Sequence, residues 1–372
     1  MPRPTASSRV PFLALSRRAA SLRPEYERAF RGVLKGGRFI LGPRVEAFEA
    51  AFALAAGTRH CVAVASGTDA LWLSLRAAGV GPGDEVVTVS HTCVPTAAAI
   101  LQCGAVPVLA DVEPGTMTMD PASAARAITR RTKALLPVHL YGLCADLSAL
   151  KDLARAKGLP LIEDCAQAAG ALYDGRPAGG HGLAGAFSFY PTKNLGALGD
   201  GGAVTTDDAS FAARLRRLRF YGYEEAQVAR ETGHNSRLDE LQAAFLSAAL
   251  ARLPGWIRAR RAVAALYRAG FADRLACPDD APRRRHAYHL FVARAPRRDL
   301  LRRRLAARGI ETAVHYPVPV HRQRGYAPAC RVGPGGLAVT ERLAREIVSL
   351  PLYPELRPAE ARRVVEAVRA CA

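Results

Sequence analysis

Lysine is scarce in this sequence, and one of the few lysines keeps unusual company. Of 52 basic residues only Lys35, Lys133, Lys151, Lys157 and Lys193 are lysine; the other 47 are arginine. Lys193 lies in Ser188-Phe189-Tyr190-Pro191-Thr192-Lys193-Asn194-Leu195-Gly196-Ala197-Leu198-Gly199-Asp200-Gly201-Gly202, behind an apolar run and with no charged neighbour until Asp200. A lone lysine is ordinarily a solvated surface residue. In an apolar, glycine-rich setting its proton affinity falls, which suits Schiff-base chemistry, and the glycines permit close ligand approach.

Two further constellations share this character. Glu163-Asp164-Cys165-Ala166-Gln167 follows the apolar run Leu159–Ile162. An acidic pair at the end of a buried strand faces the crevice where such sheets bind ligands, and a carboxylate there needs a partner to stay charged. The plainer alternative is an N-cap of the next helix. Ser66-Gly67-Thr68-Asp69 falls between a strand pattern and a helix pattern. Backbone N–H groups at a helix start form a phosphate site, although any single Ser-Gly-Thr reads first as an ordinary cap.

The elements that must position these residues alternate from about residue 44 to 252. Helical spacing over Val45–Ala56, Ala70–Ala78, Pro95–Cys103 and Leu147–Lys157 is interleaved with strand patterns over His60–Ala65, Glu85–Val89, Val106–Asp111, Lys133–Val138, Leu159–Glu163, Ala186–Tyr190 and Ala203–Thr206. Strands this apolar, alternating with helices, predict an α/β fold with a mostly parallel sheet covered on both faces. A helix near Leu238–Leu253 follows, then a break at Pro254-Gly255 and an arginine-studded helix, Trp256–Phe271. A strand (Tyr288–Ala293), a helix (Arg297–Arg308), a loop (His315–Tyr326) and a terminal helix (Ala359–Ala370) predict a smaller α+β C-terminal domain. The expected division is an N-terminal arm over residues 1–24, a large domain over 25–253 and a small domain over 254–372.

The formal net charge of +19 invites a nucleic-acid or membrane-surface reading. Its distribution weakens that reading, because residues 252–372 carry +15 and residues 1–251 only +4. With 49% hydrophobic and 23% charged residues the chain is globular in composition. No apolar run approaches a membrane span, and Val10–Leu15 is too short for a secretory core. Eight scattered cysteines without a CxxC pair read as small buried hydrophobes of a reducing cytoplasm. His286/His289 and His315/His321 lack cysteine or carboxylate company at metal spacing, so no metal site is expected. Gly180-His181-Gly182-Leu183-Ala184-Gly185 matches GxGxxG but precedes a strand, so it is not a dinucleotide fingerprint.

The three constellations, with Gly233-His234-Asn235-Ser236-Arg237-Leu238-Asp239-Glu240-Leu241-Gln242-Ala243-Ala244, resemble in order and over nearly the whole chain the DegT/DnrJ/EryC1/StrS family of sugar aminotransferases. That resemblance implies a fold type I enzyme dependent on pyridoxal 5'-phosphate (PLP). Lys193 would hold the cofactor covalently and shuttle the proton, and Asp164 would pair with the pyridine nitrogen. Gln167 would contact the ring hydroxyl, and Gly67, Thr68 and Ser188 the phosphate. Asn235, and with it Arg237, would reach the site of a partner subunit, which implies a homodimer with a shared active site. Arg285–Val292 and Thr312–Tyr326 resemble segments that line the family's nucleotide-sugar site, which implies substrate contacts for His315 and Tyr316, with Tyr190 ahead of Thr192-Lys193 and Arg237 from the partner subunit expected beside them.

Within the family the likeness is to the branch that aminates dTDP-linked 3-keto-6-deoxyhexoses, with L-glutamate as donor. Alternatives are a 4-keto sugar, a keto-inositol, or a non-catalytic basic regulatory protein on the same fold. A related dehydratase carries His at the position of Lys193. Three residues depart from the family pattern: Cys93 replaces an aromatic ring, Ala169 a His and Ala14 an Asp.

Overall fold

The alternating apolar runs become the strands of a central sheet in the computed structural model, which describes residues 9–225, 227–271 and 274–372. The first eight residues of the expected arm lie outside this set. In chain order the strands are β1 (His60–Val64), β2 (Glu85–Val89), β3 (Val106–Ala110), β4 (Thr132–Leu135), β5 (Ile162–Asp164), the short β6 (Leu172–Tyr173) and β7 (Arg176–Pro177), β8 (Ala184–Ser188) and β9 (Gly202–Thr206). There follow β10 (Tyr223–Glu225), β11 (Val228–Ala229), β12 (Arg284–Arg285), β13 (Phe291–Arg294), β14 (Arg331–Val332) and β15 (Ile347–Leu350).

Two four-stranded groups meet through the parallel bridges Leu135–Leu161 and Val138–Asp164, giving the order β1-β9-β8-β5-β4-β2-β3-β14 among the described residues. Only β9 runs antiparallel to its neighbours. The period of two along each strand divides the side chains between two apolar layers. Val62, Val64, Val86, Ala134 and Val204 pack with Leu71, Leu73, Ile100 and Leu215, while Ala63, Val87, Leu135, Phe187 and Ala203 pack with Phe48, Phe52, Leu150 and Leu246. Burial on both faces is why these strands read as continuous apolar runs.

A third cluster, including Tyr267, Phe271, Tyr288, Phe291, Ile310, Val348 and Val364, joins the helices Leu253–Phe271 and Pro358–Cys371 to the antiparallel pair β13 and β15. The C-terminal part also returns to the large sheet. β14 extends it beside β3, and the Asp111 carboxylate accepts the amides of Val339 and Thr340 at 2.9 and 2.8 Å. Many C-terminal arginines are paired internally, among them Arg261 with Asp280, Arg268 with Asp279 and Arg331 with Glu85.

One local expectation differs from the structure. Pro254-Gly255 does not break the chain but sits in the first turn of helix Leu253–Phe271, where a missing N–H forfeits no helical bond. Residues 15–36 form helices Leu15–Ser21 and Arg23–Gly36, the second started by Pro24 and ended by Gly37 in a left-handed conformation.

Candidate active site

The C-terminal ends of β1, β5 and β8 open onto one cleft of about 380 Å³. Nine of the eleven expected site residues line it: Gly67, Thr68, Asp164, Gln167, Ser188, Tyr190, Lys193, His315 and Tyr316.

The cleft's anion end is built by sequence-local rules. Ser66 caps helix Gly67–Ala77, its hydroxyl accepting the Asp69 amide at 3.1 Å. The first helical bond is Ala70 N–H to Ser66 O, so the amides of Gly67 and Thr68 have no helical acceptor. A Cβ on Gly67 would stand 2.5 Å from Ser188 Cβ, so glycine is what lets β8 close on the helix start. These donors and the Ser188 hydroxyl suit a phosphate group.

At the other end Asp164 is buried and accepts Thr96 Oγ1–H at 2.9 Å and the Ala166 amide at 3.1 Å. Burial raises its proton affinity, opposed by those two bonds and by the charge of Lys193. A cation delivered into the cleft would compensate the buried carboxylate. Lys193 is half-buried among the cleft residues, and the desolvation this brings lowers its pKa against the opposing pull of Asp164 and Cys93. The Gln167 amide accepts Tyr141 N–H at 2.7 Å and donates to the Tyr316 hydroxyl at 3.0 Å. That hydroxyl also bonds to Cys93, and burial followed by the Cys93 contact pushes its pKa well up. His315 is lowered to about 4 by burial and by Lys193, and its Nδ1 meets Ser349 Oγ at 2.8 Å.

Asn235 and Arg237 are not brought to this cleft. Asn235 is exposed and pairs with Phe220, while Arg237 lies over the rings of Phe220 and Tyr221 at 5.2 and 5.8 Å. Between them Ser236 is fully buried, donating to Asp69 at 2.6 Å and accepting the Ala65 amide at 3.1 Å. The turn is thus anchored at the phosphate end while its flanking side chains point elsewhere. Among the cleft-lining residues Lys193 is the only cationic side chain, and no arginine is among them.

The rejected GxGxxG has a structural role. The amides of Gly179, His181 and Gly182 converge on the Glu163 carboxylate at 2.8 to 2.9 Å, and His139 Nε2 meets it at 2.9 Å. His139 Nδ1 accepts the Ala145 amide, so Nε2 is the donor to Glu163. With Cys165 nearby, His139 and Glu163 form a buried cluster of ligand type, but these bonds occupy both ring nitrogens and both carboxylate oxygens.

Sequence reasoning passed over Thr96, which orients Asp164, and Arg18, which donates to the Lys193 carbonyl at 3.0 Å. Pro95 marks the helix start that places Thr96 in a first turn. Nothing local announces Arg18, which lies 175 residues from its partner.

A half-buried lysine of lowered proton affinity, a buried carboxylate wanting a cation and an N-terminal helix phosphate cradle, at strand ends of a mostly parallel sheet, define a PLP-dependent transferase of fold type I. The profile of the DegT/DnrJ/EryC1/StrS aminotransferase family matches residues 21–369, and the chain belongs to that family. It is 49% identical over 363 residues to a dTDP-3-amino-3,4,6-trideoxy-alpha-D-glucose transaminase of Streptomyces venezuelae, covering 97% of this chain and 96% of that protein. The crystal structure of S. venezuelae DesV in complex with a ketimine intermediate superposes with a TM-score of 0.94 at 49% identity, covering 97% of this chain and 98% of that one. NtdA from Bacillus subtilis with bound cofactor PMP superposes with a TM-score of 0.91 at 30% identity, covering 100% and 86%. The protein is therefore an aminotransferase, and its cofactor is PLP.

Proposed function

We propose that the protein transfers an amino group, with L-glutamate as donor, to the 3-keto carbon of a dTDP-linked 6-deoxyhexose, and that it works as a homodimer with shared active sites. The observation that carries the reading is the half-buried Lys193, its pKa lowered, in one cleft with the buried Asp164. The 49% identity to a dTDP-amino-sugar transaminase supports the substrate class.

PLP, when bound, supplies an electron sink for the carbon that exchanges its proton. The residues supply the rest. The amides of Gly67 and Thr68 and the Ser188 hydroxyl would hold its phosphate, and Asp164, oriented by Thr96, would hold the pyridine nitrogen. Gln167 faces the ring hydroxyl. The Lys193 amine would attach the cofactor and would serve as the acid–base group of the site, and its lowered pKa favours the free base that this needs. Tyr190, half exposed at the mouth, His315 and Tyr316 meet the sugar.

A diphosphate requires cations, and neither the neutral His315 nor the single lysine provides them. Arg237 of a second subunit would. Exposed Phe39, Ile40 and Leu198 gather at the start of helix Glu240–Leu250, where Phe39 O accepts the Glu240 amide and Leu198 N–H meets Gln242, and such a patch fits self-association. The test is to load the protein with PLP and glutamate, then present dTDP-, UDP- and GDP-linked keto sugars and keto-inositol. Amination of a dTDP-3-keto sugar above the others is expected. Failure to consume glutamate, or preference for a 4-keto sugar or keto-inositol, overturns the reading.

A further inference from the structure

Residues 10–18 run from the C-terminal region to the lysine loop, and the chemistry above makes no use of them. Val10 bridges Ile310, its amide bonded to Gly309 O at 2.8 Å and its carbonyl to Glu311 N at 3.0 Å. Phe12 stacks on His315 with ring centres 5.7 Å apart, and Arg17 forks onto Glu360 with two bonds of 2.7 Å. Arg18 turns inward and is 5% exposed. Its Nη1 donates to the Lys193 carbonyl at 3.0 Å, its guanidinium lies 4.9 Å from the Trp256 ring centre, and its Nε is 3.5 Å from Glu355. Neither Nε nor Nη2 makes a hydrogen bond.

A guanidinium so placed is costly, and an apolar side chain against Trp256 would stabilise the fold as well. The one full hydrogen bond it makes falls on the backbone of the lysine that does the chemistry. The Lys193 amine has no hydrogen-bond partner among the described residues, so its position is set through its own backbone. That backbone is held by Lys193 N–H to Tyr190 O at 2.8 Å and by Arg18.

We infer that Arg18 is a positioning residue that fixes the Lys193 carbonyl, and so the reach of its amine, tying the lysine loop to Trp256 and Glu355 of the C-terminal region. The inference rests on Lys193 as the attachment point of PLP. It is tested by hydrogen exchange of the holoenzyme and by the rate at which cofactor-free protein captures added PLP, in wild type, Arg18→Ala, Arg18→Lys and Arg17→Ala. Loss of one charged hydrogen bond corresponds to roughly 10-fold. Arg18→Ala is expected to exchange ~10-fold faster at residues 190–197 with β2 and β3 unchanged, and to capture PLP ~10-fold more slowly. Arg18→Lys should fall between, and Arg17→Ala should leave residues 190–197 as in wild type.

Uniformly faster exchange in Arg18→Ala, equal effects of Arg17→Ala at residues 190–197, Arg18→Lys no better than alanine, or unchanged capture would each overturn the inference. Wild-type protein that captures no PLP at Lys193 would instead overturn Lys193 as the attachment point, the reading on which the inference rests.

Discussion

Glu163 and Asp164 are neighbours on β5 that face opposite sides of the sheet, and burial ends differently for each. Asp164 is left with a raised proton affinity toward the cleft. For Glu163 burial also favours the neutral form, but the His139 hydrogen bond and the backbone amides outweigh it and hold the carboxyl at about 2. Its folded pKa thus lies below the unfolded value of about 4.3. The stability it contributes is complete above that value and is lost as pH falls toward about 2, roughly 3 kcal/mol in all at about 1.4 kcal/mol per unit. Glu163→Gln, which turns an amide NH2 toward N–H donors, should cost about 3–5 kcal/mol at pH 7 and flatten the acid limb. Denaturant titrations of both proteins at pH 7 and pH 3 measure this, and an acid limb equally steep in the variant would show that other carboxylates carry it.

Gly67 and Ser188 make a second prediction. The 2.5 Å approach between an added Cβ and Ser188 means that Gly67→Ala must push β8 from the helix start, at about 1–3 kcal/mol for an overpacked contact. Replacing Ser188 by Gly in the same protein removes the side-chain clash, leaves its Cα at 3.1 Å, and should restore part of the melting temperature. PLP affinity should stay low in the double variant, because a phosphate donor is gone. Recovery of affinity together with stability would mean that the Ser188 hydroxyl does not hold the phosphate.

The sheet and much of the cleft were legible because both follow short-range rules. Short continuous apolar runs between helical patterns marked β1 through β5, β8 and β9, and a glycine after a capping serine marked the phosphate end. What escaped depends on distant contacts. β14 pairs with β3 from more than two hundred residues away, and its two residues carry no strand pattern of their own. Arg18 looks like any surface arginine until Trp256 and Glu355 enclose it. The grip of the GxGxxG run on Glu163 follows from a turn geometry that letters alone do not reveal.

Lys193→Ala separates chemistry from folding. Burial lowers the lysine pKa, so its charge opposes folding. That penalty is complete below the depressed folded value and disappears above the unfolded value of about 10.4. Removing the side chain should therefore leave the cofactor-free protein at least as stable at pH 7, measured by thermal melting. Amino transfer should fall by at least ~10²–10⁴-fold, the range supplied by a positioned acid–base group. A folded variant with residual turnover above that range would remove Lys193 from the mechanism.

The last prediction concerns the two expected site residues that the single chain keeps apart from its cleft. Ser236 holds the turn against Asp69 and Ala65, so Asn235 and Arg237 have fixed places without a partner in their own site. If they complete the site of a second subunit, Lys193→Ala and Asn235→Ala are defects in different halves of one site. Each homodimer should then be impaired. A hybrid of one subunit of each kind, isolated through two different tags, has one site with both residues intact and one with neither. Two-fold symmetry sets its expected activity at about half that of wild type. The readout is amino transfer by the hybrid against both parents at equal subunit concentration. A hybrid no better than the average of its parents would place Asn235 and Lys193 in the same subunit's site or remove Asn235 from the site altogether.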